Sequence, residues 1–290
     1  MELKLGKLEP IIDSRTIKLS AILKAELLPQ LPISYSVDEA VGGISDNFMF
    51  NNSVYGDCVI AARAHQTLRF ERFEQGVQIP ISDKEVTDEY FKESGGADHG
   101  LYLLNSLKEW RKDGWKVGNK VYTIYAFASV DWKNHDEVKH CIHLLGGVYF
   151  GMNVYQTDVD QFNIGKDWEL TGNNGSFRGG HGVYGFAYEH NQMTCPHCAV
   201  GWVDDGLICM TWGRRQKMSW AFWDTRVDEA FGIVDNKNTW QADSPVDIVK
   251  LDGYLQEITG STGTNNSGCS FAGLGIIKRL LHRGQDKVCR

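Results

Sequence analysis

An α+β fold, with helices first and antiparallel strands second, is what this 290-residue sequence predicts. Two observations carry that expectation. Up to about residue 120, apolar residues recur at helical spacing behind recognisable caps. Beyond it, runs rich in β-branched and aromatic residues are punctuated by glycine and aspartate, as antiparallel strands require. A third observation bounds the class. With 42% hydrophobic and 23% charged residues, the chain can bury a large core, in one domain or in two lobes sharing an interface.

Residues 1–45 read as an N-terminal arm with one short helix, TIKLSAILKAEL, ended by Pro29 and Pro32. Residues 46–120 read as a helical lobe. Its first helix follows the turn-forming Asn51, Asn52, Ser53, Gly56 and Asp57, begins at Cys58 and runs to about Gln75. A second starts behind Ser82, where Glu85 completes a capping box. A third, LYLLNSLKEWRKDG, ends at Gly114.

Residues 121–257 read as a β-rich lobe. VYTIYAFASVDW (121–132) is a strand, DEVKHCIHLL a short amphipathic helix and GGVYFGMNV a buried strand. HGVYGFAYEH, GWVDDGLICMTWG, KMSWAFWD and DEAFGIVD follow as further strands. Residues 258–290 open on ITGSTGTNNSGCS, a flexible-linker composition, and close on a basic amphipathic helix, FAGLGIIKRLLHRG. No internal repeat is present.

A net charge of −7 argues against a broad nucleic-acid-binding surface. The local exception is the C-terminus, where Lys278, Arg279, Arg283, Lys287 and Arg290 face only Asp286. Residues 271–290 could therefore dock on a partner protein, a particle or an anionic surface, or remain a solvated tail. Seven cysteines are too few, and odd in number, for a disulfide-stapled scaffold. The opening MELKLGKLEP lacks the pattern of a secretory signal, and no apolar run reaches the roughly 18 residues of a membrane span. The expectation is a soluble, mainly reduced protein, cytoplasmic or virion-associated.

Cys58 is the first candidate for chemistry. On the first turn of a helix, free amides and the helix dipole favour a thiolate; a buried packing role is the plainer alternative. Among nine histidines, His181 stands out. It follows Gly179 and Gly180, which leave room for another group to approach the imidazole, although the two glycines would also suit a simple turn. His65, seven residues past Cys58, lies about 10 Å along the helix and reads as packing.

The order NxxxxGDC opening a helix, SDKEVTDEY, SGG before another helix, GGVYFGMNV, GGHGVYGFAY and LICMTWG resembles the papain-like cysteine peptidases over roughly residues 30–235. The similarity is to compact bacterial and phage members without a prosegment, and KLGKLEPIIDSRTIKL resembles their opening. It implies a papain-like α+β fold with the active-site cleft between a helical lobe and a β-rich lobe. Cys58 then matches the nucleophile and His181 the general acid/base that shares its proton. Asn52 falls where the family places an oxyanion-donating glutamine, with the Cys58 amide as second donor. Gly95 and Gly96 match the glycines along which an extended substrate lies. The family's Asn-Ser-Trp-Gly is here Met210-Thr211-Trp212-Gly213. Trp212 keeps its shielding place, but methionine cannot orient an imidazole. Thr211 offers a hydroxyl, yet in a regular strand it points to the face opposite residue 210.

The pair Cys195 and Cys198, with His190 and His197 nearby, invites a metal reading. A structural zinc needs four ligands, commonly two such pairs, so a hairpin tip is the expectation and neither metal nor cofactor is expected. A Cys195–Cys198 disulfide is a lesser alternative. Trp212, Trp220, Phe222 and Trp223 suit a core better than a carbohydrate platform. Two functions follow. One is a cysteine hydrolase, a peptidase acting on polypeptide through a thiolate–imidazolium pair, with amidase or transferase chemistry open to the same residues. The other is a papain-fold structural or interaction protein, virion-associated, with weak or no catalysis, which the loss of asparagine at Met210 favours. Without an evident prosegment, access or location would have to limit activity.

Overall fold

The computed structural model describes residues 3–189, 205–241 and 243–259. Cys195, Cys198, His190, His197 and the tail 271–290 lie outside the described residues, so the metal and docking expectations do too.

The arm holds less helix than its pattern suggests. A single turn, α1 (Leu19–Ile22), gives way to a 3-10 turn at Ala25–Leu27, then to β1 (Tyr35–Ser36) and α2 (Val37–Ala40). The helix stops because Leu23 is extended and bridges Val246, while the Lys24 amide donates to the Pro245 carbonyl at 2.8 Å. Long-range pairing outweighs a local preference here.

α3 (Cys58–Gln75) has the expected bounds, ending at Gly76 in the left-handed conformation. It is buried on nearly every side, so its polar residues need partners. Arg63 binds Glu93 at 2.7 Å and the Ser106 carbonyl at 2.8 Å; His65 binds Asp46 at 2.8 Å; Arg69 binds Asp38 at 2.8 Å. His65 is thus packing, as expected. Those pairs fasten α4 (Asp83–Glu93), α5 (Leu103–Lys112) and the 38–46 segment around α3. Ser82 and Glu85 form the capping box read from the sequence.

The strand expected over 121–132 is interrupted. β2 (Trp115–Val117) and β3 (Lys120–Tyr122) form a separate hairpin, and β4 (Ala126–Ser129) joins the main sheet. α6 (His135–Leu145), capped by Asn134, leads into β5 (Val148–Tyr155). A helix that the sequence did not announce, α7 (Gln156–Asn163), precedes β6 (Phe177–Glu189), the long strand that carries His181. β7 (Gly206–Thr211) and β8 (Arg214–Ser219) follow as a hairpin.

KMSWAFWD is a strand only as far as Ser219. The Ser219 hydroxyl accepts from the Phe222 amide at 3.2 Å and starts α8 (Trp220–Arg226), which buries Phe222 and Trp223. The aromatics fill the core, from a helix rather than from alternate strand positions. β9 (Val227–Val234) returns to the sheet and α9 (Ile248–Thr259) ends the described chain. The sheet runs β4-β9-β5-β6-β7-β8, with β1 also on β6, and every pairing is antiparallel. The α+β class is as expected. The first turn of α3 packs on β6, where a Cβ at Gly182 would lie 3.1 Å from the Val59 Cα. No helix among the described residues is long and apolar enough to cross a membrane.

Candidate active site

The start of α3 and the start of the buried part of β6 meet at the thiol. The Gly182 amide donates to Cys58 Sγ at 3.3 Å, which places Cys58 one residue from His181 in the fold although 123 positions separate them in sequence. Both side chains are buried. The His181 imidazole is held on two sides. Its Nε2 lies 2.6 Å from Thr211 Oγ1, and its ring stacks on Trp212 at 4.0 Å with 15° between planes. Its Nδ1 has no hydrogen-bond partner.

Strand register decides which residue reaches the imidazole. Tyr184 pairs with Met210, so these two share one face of the sheet, and His181, three residues before Tyr184, faces the other way. Thr211, one residue past Met210, shares the face of His181. Met210 is buried on the opposite face. Thr211 and Met210 do point to opposite faces, and it is Thr211 that faces the histidine. Trp212 at φ +42° and Gly213 at φ +73° make the tight turn into β8 with both residues left-handed. A tryptophan in that region is strained. Its indole is fixed by a 3.1 Å bond from Nε1 to the Lys4 carbonyl, flat against the imidazole.

Lys4 belongs to a segment that the sequence did not connect with the site. Residues 4–8 run as a segment held between the Asn52 turn and the Leu101 loop on one side and the Gly180 edge of β6 on the other. The Lys4 amide donates to the Asn52 carbonyl at 3.2 Å and the Lys7 amide to the Gly180 carbonyl at 3.0 Å. The Leu101 amide donates to the Gly6 carbonyl at 2.7 Å, and the Leu8 amide to the Leu101 carbonyl at 2.9 Å. Gly6 passes so close to Gly56 that a Cβ on either would clash with the other's strand. The Gly6 amide also faces the Cys58 sulfur and favours its thiolate. No local periodicity could have revealed this, because one extended segment bridging two distant edges leaves no pattern in its own residues.

Electrostatics follow from the covering. Burial pushes the Cys58 thiol up to about 11, with the Gly182 and Gly6 amides and Lys7 opposing and Asp57 reinforcing. Burial likewise lowers His181 to about 3. Under the arm the pair is therefore neutral thiol and neutral imidazole, because desolvation outweighs the helix-end preference for a thiolate. Asp57, directly before the thiol, is fully buried with neither carboxylate oxygen in a hydrogen bond. Burial pushes it up to about 8, with the Asn52 amide opposing, so it is mostly protonated near neutral pH.

The remaining sequence candidates sit as follows. Asn52 is buried six residues before the thiol, and its Nδ2 donates to the Tyr55 carbonyl at 3.1 Å. Gly95 and Gly96 follow α4 with φ of +69° and +89°, and the Gly96 amide donates to the Phe91 carbonyl at 2.7 Å, which terminates that helix. A Cβ on either would meet nothing within 4 Å. The edge that pairs with the arm is Leu101, farther along the same loop. Among the described residues, no group of three or more His, Cys, Asp or Glu side chains is placed to hold a metal ion.

No family model and no curated protein matches the sequence. Solved structures do. Xylellain, a cysteine protease from Xylella fastidiosa, is 15% identical with a TM-score of 0.60, the match covering 81% of this chain and 97% of that one. ProCathepsin B S9 from Trypanosoma congolense is 13% identical with a TM-score of 0.57, covering 80% of this chain and 86% of that one. The ragweed pollen allergen Amb a 11, a cysteine protease in its proform, is 13% identical with a TM-score of 0.54, over 77% and 71% of the two chains. At such identities the likeness is one of fold: the chain folds as the papain-like cysteine proteases do.

Proposed function

We propose that the protein is a papain-like cysteine hydrolase, a peptidase, whose catalytic pair is Cys58 and His181. The observation that carries this reading is the imidazole held by Thr211 and Trp212 one residue from the thiol's bonding partner. A merely packed histidine has no need of both constraints. With Nε2–H donated to Thr211 Oγ1, the unpartnered Nδ1 is the nitrogen free to take the Cys58 proton. The thiolate attacks the substrate carbonyl, and the oxyanion that develops meets the Cys58 backbone amide and the second N–H of Asn52. His181 then gives its proton to the leaving amine and later activates the water that releases the acyl-enzyme. An amidase or transferase would use the same groups.

Before any of this, residues 4–8 must leave. Departure of the arm admits water to both groups and relieves the desolvation that keeps them neutral, so the thiolate–imidazolium pair forms only in the opened cleft. Access to the cleft, rather than a separate inhibitor, would then limit activity. The substrate backbone lies where the arm runs, between Leu101 and Gly180, as an added strand; Gly95 and Gly96 come earlier in the loop that carries Leu101.

A second reading, a papain-fold interaction protein with little or no catalysis and a virion-associated role, draws on the same covering and on Asn52 being tied to Tyr55. Incubating the full-length protein and its Gly6→Ala variant with an internally quenched peptide mixture separates the two. The peptidase reading expects cleavage that disappears in Cys58→Ala and in His181→Ala. Cleavage by the Gly6→Ala protein no greater than by its Cys58→Ala counterpart supports the interaction protein.

A further inference from the structure

The arm does more than cover the thiol, because it places a lysine where few lysines are found. The Lys7 side chain is only 1% exposed. Its stem crosses β5 at Gly151, where a Cβ would fall 2.6 Å from the Lys7 Cδ and 3.0 Å from the Glu229 Cγ. Its ammonium then meets Asp228 at 2.8 Å and Glu229 at 3.3 Å, both at the start of β9. Asn153, also on β5, donates to the same Asp228 oxygen at 3.3 Å.

Three features mark this as a pocket rather than an ordinary ion pair. Its wall along the stem is the backbone of Gly151, and Gly180 closes on the Lys7 carbonyl and Cβ, so the channel fits an unbranched chain of methylenes. Its floor holds two carboxylates for a single ammonium, and the Asp228 Oδ1 atom is buried without a hydrogen-bond partner. Its occupant hangs from an extended segment paired with Leu101 and Gly180, in the manner of a bound peptide, with the neighbouring Gly6 on the thiol. Burial raises both carboxyls, Glu229 to about 7, while Lys7 pulls them down, so the ammonium favours the charged form of the floor.

We propose that this pocket, floored by Asp228 and Glu229 and opened by Gly151, takes a lysine or arginine side chain of a substrate polypeptide. Lys7 is then its internal occupant, and basic segments are the protein's substrate class. The substrate assignment rests on the peptidase reading; the pocket itself does not.

The test uses two synthetic hexapeptides, identical except for lysine or leucine at one position, and the full chain carrying Cys58→Ala and Lys7→Gly. Should the Lys7 change cost folding, Gly6→Ala takes its place as the means of lifting the arm. By fluorescence anisotropy the lysyl peptide should bind at least about tenfold more tightly than the leucyl peptide, since a buried acidic floor discriminates against a side chain that cannot pair with it. Adding Asp228→Asn and Glu229→Gln should erase the difference. Equal affinities, a preference that survives neutralisation of both carboxylates, or no binding of either peptide overturns the proposal. A lysine preference in binding without cleavage by the protein that retains Cys58 leaves the pocket standing and removes the peptidase reading instead.

Discussion

Gly6→Ala asks the most of the site geometry. A Cβ at residue 6 would sit 2.6 Å from the Gly56 Cα and closer still to its carbonyl, and Gly56 is fixed from below by the start of α3. The arm must therefore lift. Lifting at residue 6 first breaks the bonds on either side of it, from the Leu101 amide to the Gly6 carbonyl and from the Lys7 amide to the Gly180 carbonyl. At about 1 kcal/mol net for each, the covered state loses about 2 kcal/mol, which is roughly 30-fold in the population of the open cleft. The assay is alkylation by iodoacetamide near neutral pH, with the modified cysteine located by peptide mass. Cys58 should react roughly 30-fold faster in the variant on the same arithmetic, provided reaction occurs from the open state. Cys141 and Cys209, both buried in the core, are internal controls and should stay protected. An unchanged Cys58 rate with the controls protected would falsify the idea that residues 4–8 gate the thiol. A parallel rise at all three cysteines would mean general unfolding, which equally refutes a local displacement.

Two further outcomes follow from the same geometry. Thr211→Val deprives the buried His181 Nε2 of its hydrogen-bond partner, so kcat should fall about 10–100-fold with little change in KM, while Thr211→Ser restores it; steady-state kinetics on a peptide substrate decide, and a Val variant as active as the parent removes Thr211 from the mechanism. His181 is held at about 3 by burial against an ordinary 6.5, so between these values only the unfolded chain binds the proton. Stability is therefore lost as pH falls through 6.5, by about 2 kcal/mol at pH 5 from this group. Urea unfolding at pH 7.5 and 5.0 should show a loss larger by that amount in the parent than in His181→Gln, where buried His143, lowered to about 4, still contributes, and an identical pH dependence in both proteins contradicts the burial argument.

Local chemistry made much of this molecule legible in advance. The start of α3 at Cys58 follows from the turn residues before it, the capping box at Ser82 from its spacing to Glu85, and the buried strand β5 from its unbroken apolar run. The cap at Ser219 shows the limit of such reading. KMSWAFWD has strand-like composition, and only the bond from the Phe222 amide to the Ser219 hydroxyl turns its aromatic half into a helix.

Sequence by itself, then, determined the α+β class, the helix that begins on the thiol, and the pairing of types that makes Cys58 and His181 worth considering together. Each of those depends on residues close in the chain or on recognisable runs. Tertiary structure alone decided the rest. Whether position 210 or 211 faces the imidazole depends on the register of β7 against β6, and a slip of one residue exchanges the faces. Whether the thiol is charged or neutral depends on what covers it, and the cover is a segment some fifty residues upstream, held by edges that lie about forty and 120 residues beyond the thiol. Neither register nor desolvation is a property of any short stretch of chain, so neither could be read from one.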